Sequence, residues 1–281
     1  MAFLDRIEDC RRFDPDGYRP FAVGSVTVGF VGHAFASRLK DFPKVFEVDT
    51  EGVRLNDRLA GFDSRTRAVA EVLESLRAKG EIRGWRDEPY PVTVSFSAAP
   101  LMTLERAAVP LFGVMAFAVH LNGVVGERAD LRMWIAKRSL SKPTGPGKLD
   151  QLVAGGQPAG VSLSDNLVKE CAEEAMISAD LARRAVPIGA VSYITERPEG
   201  LRRDVLFNYD LELPEDFEPD NTDGEVESFH LWPIERVIET VRDTDNFKFN
   251  CALVVIDFLI RRGLIAPDHP DYVELLRGLH G

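Results

Sequence analysis

The sequence predicts an α+β chain, and three observations carry that prediction. Short Val/Phe/Gly-rich runs alternate with amphipathic stretches of helical period, Gly and Pro punctuate both, and no internal repeat or low-complexity tract intervenes. With 281 residues, 45% hydrophobic and 28% charged, the chain can bury one large core or two, which excludes disorder as its main state.

The opening stretch is short and amphipathic, and Phe21–Phe30 and Val45–Val48 read as strand-type runs. Ser64–Lys79 is the first long helix: Asp63 or Ser64 can cap it, Val69, Val72, Leu73 and Leu76 form one apolar stripe, and Gly80 offers a stop. Pro89–Thr103 reads as one extended strand with prolines at both ends, and the polar Leu-Glu-Arg-Ala stretch after it puts a domain boundary near Leu104. Strands are then expected at Leu111–Leu121, Leu131–Lys137 and Leu149–Ala154, with a loop over Arg138–Lys148. A helix over Ser164–Met176, strands at Val186–Thr195 and Arg203–Leu213, an acidic loop, and a strand near Val226–Trp232 follow. Helices from about Pro233, Phe247 and Pro270 close the reading.

Charge and cysteine usage narrow the partners. The 34 Lys and Arg against 45 Asp and Glu give a net charge of -11, with no Lys/Arg-rich run, which argues against a nucleic-acid polymer. Cys10, Cys171 and Cys251 lie far apart without a CxxC pair, against a disulfide framework or thiolate zinc site and for a reducing cytoplasm. The five histidines show no HxxxH or HxH spacing. The acid-bearing first residues do not read as a signal peptide, and the longest apolar stretch, Ala107–Leu121, is interrupted by Pro110 and too short to span a bilayer. The expectation is a cytoplasmic chain without a membrane partner, compatible with a monomer or a homodimer.

The chemistry concentrates in Gly155–Ile177. Ser164 or Asp165 caps a helix on which Glu170, Glu173 and Glu174 stand at i, i+3 and i+4, so three carboxylates share a face with only Lys169 immediately beside them. Like charges so placed repel. A divalent cation with a preference for hard oxygen ligands, Mg²⁺ or Mn²⁺, gives a physical reason for them. A solvated helix face shows such clusters too, but this helix follows an apolar strand and a Gly-Gly loop. Gly155 and Gly156 are read as turn formers whose backbone delivers the acids to the end of a sheet. Upstream, Lys137, Arg138, Lys142 and Lys148 gather positive charge suited to a diphosphate, and Trp134 and Phe207 are ring-stacking candidates whose ordinary use is core packing.

These residues resemble the Nudix box, G-x5-E-x7-R-E-U-x-E-E-x-G-U with U apolar. Gly155, Glu170, Glu173, Glu174 and Ile177 fall in its register, and Cys171 fills the inner apolar position. Val161 stands where the first Glu belongs, Lys169 replaces Arg, and Met176 replaces the Gly that ends the helix. The resemblance covers roughly Val109–Val241 and implies a Nudix-type α/β/α sandwich with a mixed sheet over 105–281, preceded by a smaller α+β domain over 1–104. It further implies an Mg²⁺-dependent hydrolase of a small-molecule diphosphate, with Glu170, Glu173 and Glu174 as catalytic metal ligands. Glu225 joins them as a candidate ligand, and Glu173, Glu225 and Glu227 remain open as general base. Lys137, Arg138, Gly155 and Gly156 are the candidate substrate-binding residues. The variant box also resembles the Nudix domain fused ahead of fungal thiamine pyrophosphokinase and related plant proteins, which implies a thiamine-diphosphate-like substrate. The alternative is a Nudix-fold ligand-binding or regulatory module, catalytically weakened at Val161 and Met176.

Overall fold

The computed structural model describes residues 2–222 and 224–280. The first unit contains β1 (Tyr18–Val23), β2 (Val26–Gly32), β3 (Phe46–Val48) and β4 (Val53–Leu55) in the sheet order β2-β1-β4-β3. Ahead of it lies α1 (Phe3–Asp9), and packed around it are α2 (His33–Leu39) and α3 (Phe62–Ala78). The four stripe residues of α3, Val69, Val72, Leu73 and Leu76, all lie in the core, each burial contributing about 1.5–3 kcal/mol. Neither Asp63 nor Ser64 caps this helix. Gly61 stands at its N-cap with φ 82°, and the Ser64 hydroxyl donates to the carbonyls of Ala60 and Gly61.

The single strand expected over Pro89–Thr103 is an antiparallel pair, β5 (Pro89–Val92) and β6 (Met102–Glu105). The Thr93 hydroxyl donates to the carbonyls of Ser95 and Ala98 and so closes the reversal between them. Pro89 opens β5 and Pro91 lies inside it, where the two-stranded partnering leaves one edge without need of their missing N–H groups, and Pro100 lies in the reversal before β6. The first core runs past Leu104: Ala108, Val109 and Phe112, the last two in α4 (Val109–Phe112), and then Val114 and Ala116 belong to the same cluster as Phe21 and Phe46.

The second unit is built on β7 (Met115–Val125). Then come β8 (Arg132–Arg138), β9 (Leu149–Asp150), β10 (Val153–Gly156), α5 (Leu163–Ala175), α6 (Ala179–Ala182), β11 (Val186–Arg197), β12 (Gly200–Glu212) and β13 (Val226–Pro233). Helices α7 (Ile234–Asp243), α8 (Phe249–Arg261) and α9 (Tyr272–His280) complete the order. The sheet runs β11-β12-β7-β8-β13, with β10 also on β7 and β9 also on β8, and β12 is parallel to β7 while the other pairs are antiparallel. Leu167, Cys171 and Ala175 of α5 pack on one face with Val119, Leu121 and Val153. The opposite face carries Val237 of α7, Leu253 and Val254 of α8 and Leu275 of α9 against Met133, Ile135 and Leu206. The result is the α/β/α sandwich with a mixed sheet. Helix α1 belongs to this second core, since Phe3 and Ile7 pack among α7, α8 and α9. No described helix is long and apolar enough to cross a membrane.

The strand expected at Leu149–Ala154 is broken in two. The backbone N–H of Gln151 bonds to the Asp150 carboxylate at 2.9 Å, turning the chain there, and the strand resumes at Val153. Gly155 and Gly156 are therefore strand residues, paired with Val119 and Ala118 of β7, rather than a loop.

Candidate functional site

Ser162, not Ser164 or Asp165, caps α5. Its hydroxyl accepts the Asp165 N–H at 3.1 Å and donates to the Asp165 carboxylate at 2.7 Å, satisfying a free N–H of the first turn. From there the period turns Leu167 and Cys171 into the core and sets Glu170 and Glu174 one strip round, at the end of β10. Burial pushes the Cys171 thiol up to about 12, as befits a core residue. The helix ends at Met176 in the left-handed region, φ 50°, with the Ile177 N–H bonded back to the Cys171 carbonyl at 3.0 Å. The usual Gly of the motif has a backbone reason, and Met176 meets it at a conformational cost. Its side chain is 56% exposed and packs little. Met176→Gly is expected to stabilise the protein by about 1 kcal/mol, read as a raised denaturant midpoint at unchanged slope.

Glu170 and Glu174 line a cavity of about 300 Å³ at the junction of the two units, opposite Arg106, Lys142, Glu225 and Lys248. Both carboxylates are buried. Burial raises the pKa of Glu170, and burial together with the charge of Glu170 pushes Glu174 up to about 8, although the Ala154 N–H donates to Glu174 at 2.8 Å. Glu173 stands half-exposed at the rim. Lys169 bridges it to Glu170, with its ammonium 2.9 Å from Glu173 and 3.0 Å from Glu170. This one cation occupies the place of the motif's Arg and divides its charge between two carboxylates.

The two glycines are required by close approach. A Cβ on Gly155 would overlap the Glu170 carboxyl, and one on Gly156 would overlap the Tyr90 hydroxyl and stand 3.5 Å from the Arg106 guanidinium carbon. Tyr90 and Arg106 belong to the first unit, so both units meet over this strand. Across the helix–strand gap, Asn166 donates to the Gly156 carbonyl at 2.8 Å. Val161, where the motif has Glu, is on the surface, and its carbonyl accepts from Gln157 at 2.6 Å.

The cations expected to clamp phosphate are otherwise engaged. Lys137 is paired across the sheet with Glu227 at 2.8 Å and does not line the cavity. Arg138 lines it, but its guanidinium holds Asp150 at 2.6 Å and donates to the carbonyls of Thr144 and Gly145. Glu225 is held by Lys142 and, at 3.8 Å, by Arg86. Burial alone would raise its pKa, yet Lys142, Arg86 and Arg106 bring it below the ordinary value. Asp223, in the same acidic stretch, lies outside the described residues. Phe207 packs on Phe117 and Phe96, whereas Trp134 packs on Phe217 away from the cavity.

Sequence reasoning missed a buried polar cluster that reaches the cavity through His120. His120, Asp150 and Cys251 are buried with ligand-type atoms all within 4.8 Å of one another. They satisfy each other: the Cys251 thiol donates to Asp150 at 2.7 Å, and His120 bonds Gln151, which donates to the Cys251 carbonyl. Burial lowers the His120 pKa to about 4, so the ring is neutral. Against the pull of burial, Lys248 and Arg138 hold Asp150 below the usual carboxylate range. These two cations already balance the cluster and oppose a metal ion within it. The one local signal was a lone histidine inside the apolar run Phe117–Leu121.

Residues 2–116 match the sequence model of a domain of unknown function, DUF4743. Over 99% of its length the chain is 49% identical to Nudix hydrolase 24, chloroplastic, of Arabidopsis thaliana, and 46% identical to Nudix hydrolase 20, chloroplastic, of the same plant, covering 77% of each. Among solved structures, the NUDIX domain of Shewanella oneidensis NrtR complexed with ADP ribose aligns over 53% of this chain and 90% of its own, at 14% identity and a TM-score of 0.43. The identity to two Nudix hydrolases spans nearly the whole chain, both units and the acid-bearing helix included, and so the chain belongs to the Nudix hydrolase family, a family of diphosphate hydrolases.

Proposed function

We propose that the protein is an Mg²⁺-dependent hydrolase, with Mn²⁺ as the alternative ion, that cleaves the diphosphate of a thiamine-diphosphate-like small molecule. The observation that supports this most is the buried pair Glu170 and Glu174 in a cavity whose other walls carry cations. Two buried carboxylates with raised pKa values lack sufficient compensation from Lys169 at the rim, and oxygen donors suit a hard divalent ion. Glu170 and Glu174 would hold it, with Glu173 at the outer side. Once bound, such an ion neutralises diphosphate oxygens and lowers the pKa of a water.

The chain's own residues do the rest. Hydrolysis joins the water oxygen to phosphorus, breaks the P–O–P bridge and moves one proton from the water to the leaving oxygen. Of the three candidate bases, Glu225 lines the cavity, whereas Glu173 and Glu227 do not, and Glu225 is the base in this reading. Lys142 holds that carboxylate in place and ionised, so that it meets the water without a proton of its own. Phe117 lines the cavity with Phe96 at 5.1 Å, an aromatic wall for the flat ring of the substrate. The two units divide near Ala116, where the first core ends, and both contribute walls.

The test has two readouts. Phosphorylated products released with Mg²⁺ from thiamine diphosphate, its oxidised analogues, ADP-ribose, dinucleotides and nucleoside triphosphates should be greatest for the thiamine-diphosphate compounds. Equal or lower release from them overturns the substrate class. Separately, Glu174 binds its proton more tightly folded than unfolded, so its contribution to stability is full below about pH 4.3 and is lost as pH rises through about 8. Mg²⁺ replaces that proton, so it should raise Tm more at about pH 8.5 than at about pH 5. A shift independent of pH would remove Glu174 from the ion's ligands.

A further inference from the structure

The cations first expected to hold phosphate are spent on protein carboxylates and carbonyls, which leaves open what does hold it. Among the cavity's basic residues, Lys142 and Arg86 serve Glu225, and Arg106 serves Glu88 at 2.7 Å. Two others, Arg83 and Lys248, line the same cavity with no carboxylate within ion-pair distance among the described residues and no side-chain hydrogen bond. We propose that Arg83 and Lys248 bind the terminal phosphate of the substrate, and that this makes the enzyme selective for diphosphate monoesters over diphosphates esterified at both ends.

Lys248 is held at both its backbone and its stem. It stands just before α8, its N–H bonded to the Leu149 carbonyl at 2.8 Å. Its stem lies against Gly145, where a Cβ would come within 3.2 Å of the Lys248 Cγ. The side chain is half-buried, and its charge acts on the buried Asp150 and on His120, which lines the cavity. Arg138 is the direct partner of Asp150 at 2.6 Å, whereas the Lys248 ammonium acts on it from beyond ion-pair distance and lines the cavity. Arg83 approaches from the other unit. The loop over 139–148 lies between them, with Gly84 against Pro143 and Lys248 against Gly145, so Arg83 and Lys248 flank Lys142 on opposite sides. Two positive charges that line one cavity, neither within ion-pair distance of a carboxylate among the described residues, match a terminal phosphate, which carries about -1.5 to -2 at neutral pH, better than a bridging phosphate of about -1.

The inference rests on the hydrolase reading for the position of the diphosphate, and its test is therefore equilibrium binding rather than turnover. The intact chain, with Mg²⁺, is titrated calorimetrically with methylenediphosphonate, which has free ends and a bridge that water does not cleave, and with its P,P′-dimethyl ester. The free-ended probe should bind at least about tenfold tighter, the loss of one charge-assisted contact being worth about 1.4 kcal/mol. Lys248→Met and Arg83→Gln should each weaken it about tenfold and shrink the preference, with the dimethyl ester little affected. Lys248→Arg keeps the charge and should stay within about threefold of the parent, which separates a lost contact from a damaged fold. Lys44→Met, on an exposed site of the first unit, is the neutral control. Wild-type affinity in both variants, or no preference in the parent, overturns the proposal. Turnover of thiamine diphosphate with unaltered binding in Lys248→Met would sink this assignment and leave the hydrolase intact, whereas weakened binding without turnover would do the reverse.

Discussion

Replacing Glu170 by Gln is expected to lower Mg²⁺-dependent kcat/KM by about 10²-fold or more, since a metal-held charge contributes several kcal/mol to the transition state at 1.36 kcal/mol per decade. The substitution keeps shape and removes charge. In the metal-free protein it relieves repulsion between Glu170 and the buried Glu174, so the variant should be no less stable than the parent. Catalysis and stability therefore move in opposite directions, which a misfolded variant cannot imitate. Steady-state kinetics with a thermal melt beside them decide it. Parental turnover at saturating Mg²⁺ would remove Glu170 from the reaction and leave Glu173 and Glu174 to account for the ion.

The second large effect concerns a residue that the sequence pointed to for substrate. Arg138→Met should cost about 3–5 kcal/mol of stability at neutral pH, because it leaves Asp150 charged and buried without its 2.6 Å partner. The native pair depresses the Asp150 pKa, so the stability it supplies is present above the unfolded value and lost in acid. The gap between parent and variant should accordingly narrow as pH falls below about 4. Asp150→Asn in the Arg138→Met background should restore much of the loss. A simple phosphate clamp predicts another pattern: a raised KM, unchanged melting, and no rescue by Asn at position 150.

What was legible in the sequence follows the range of the interactions involved. Helices α3 and α5 were readable because a 3.6-residue period is local, and all four predicted stripe residues of α3 are buried. The acids of α5 were readable for the same reason, as their common face needs only their spacing. Strand boundaries failed where a side chain intervened locally, as at Asp150 between β9 and β10 or Thr93 between β5 and β6. Gly155 and Gly156 carried a genuine signal with the wrong cause, because the crowding by Glu170 and Tyr90 arises only when β10, α5 and β5 come together. The fates of Lys137 and Arg138 depend on Glu227 and Asp150, chosen by strand pairing rather than by sequence spacing. His120, Asp150 and Lys248 come from three distant segments, and only the closed fold gives them a common neighbourhood.

The docking of α1 has a consequence for the order in which the protein is made. Phe3 and Ile7 leave the ribosome well before their neighbours in α7, α8 and α9, which do not begin until Ile234. At about 5–20 residues per second, the roughly 225 residues between imply a wait of about 10–45 s. During that interval the first sheet and α3 can close around Phe21 and Leu73 on their own. A greasy helical segment meanwhile trails from them without its partners, a natural client for a chaperone.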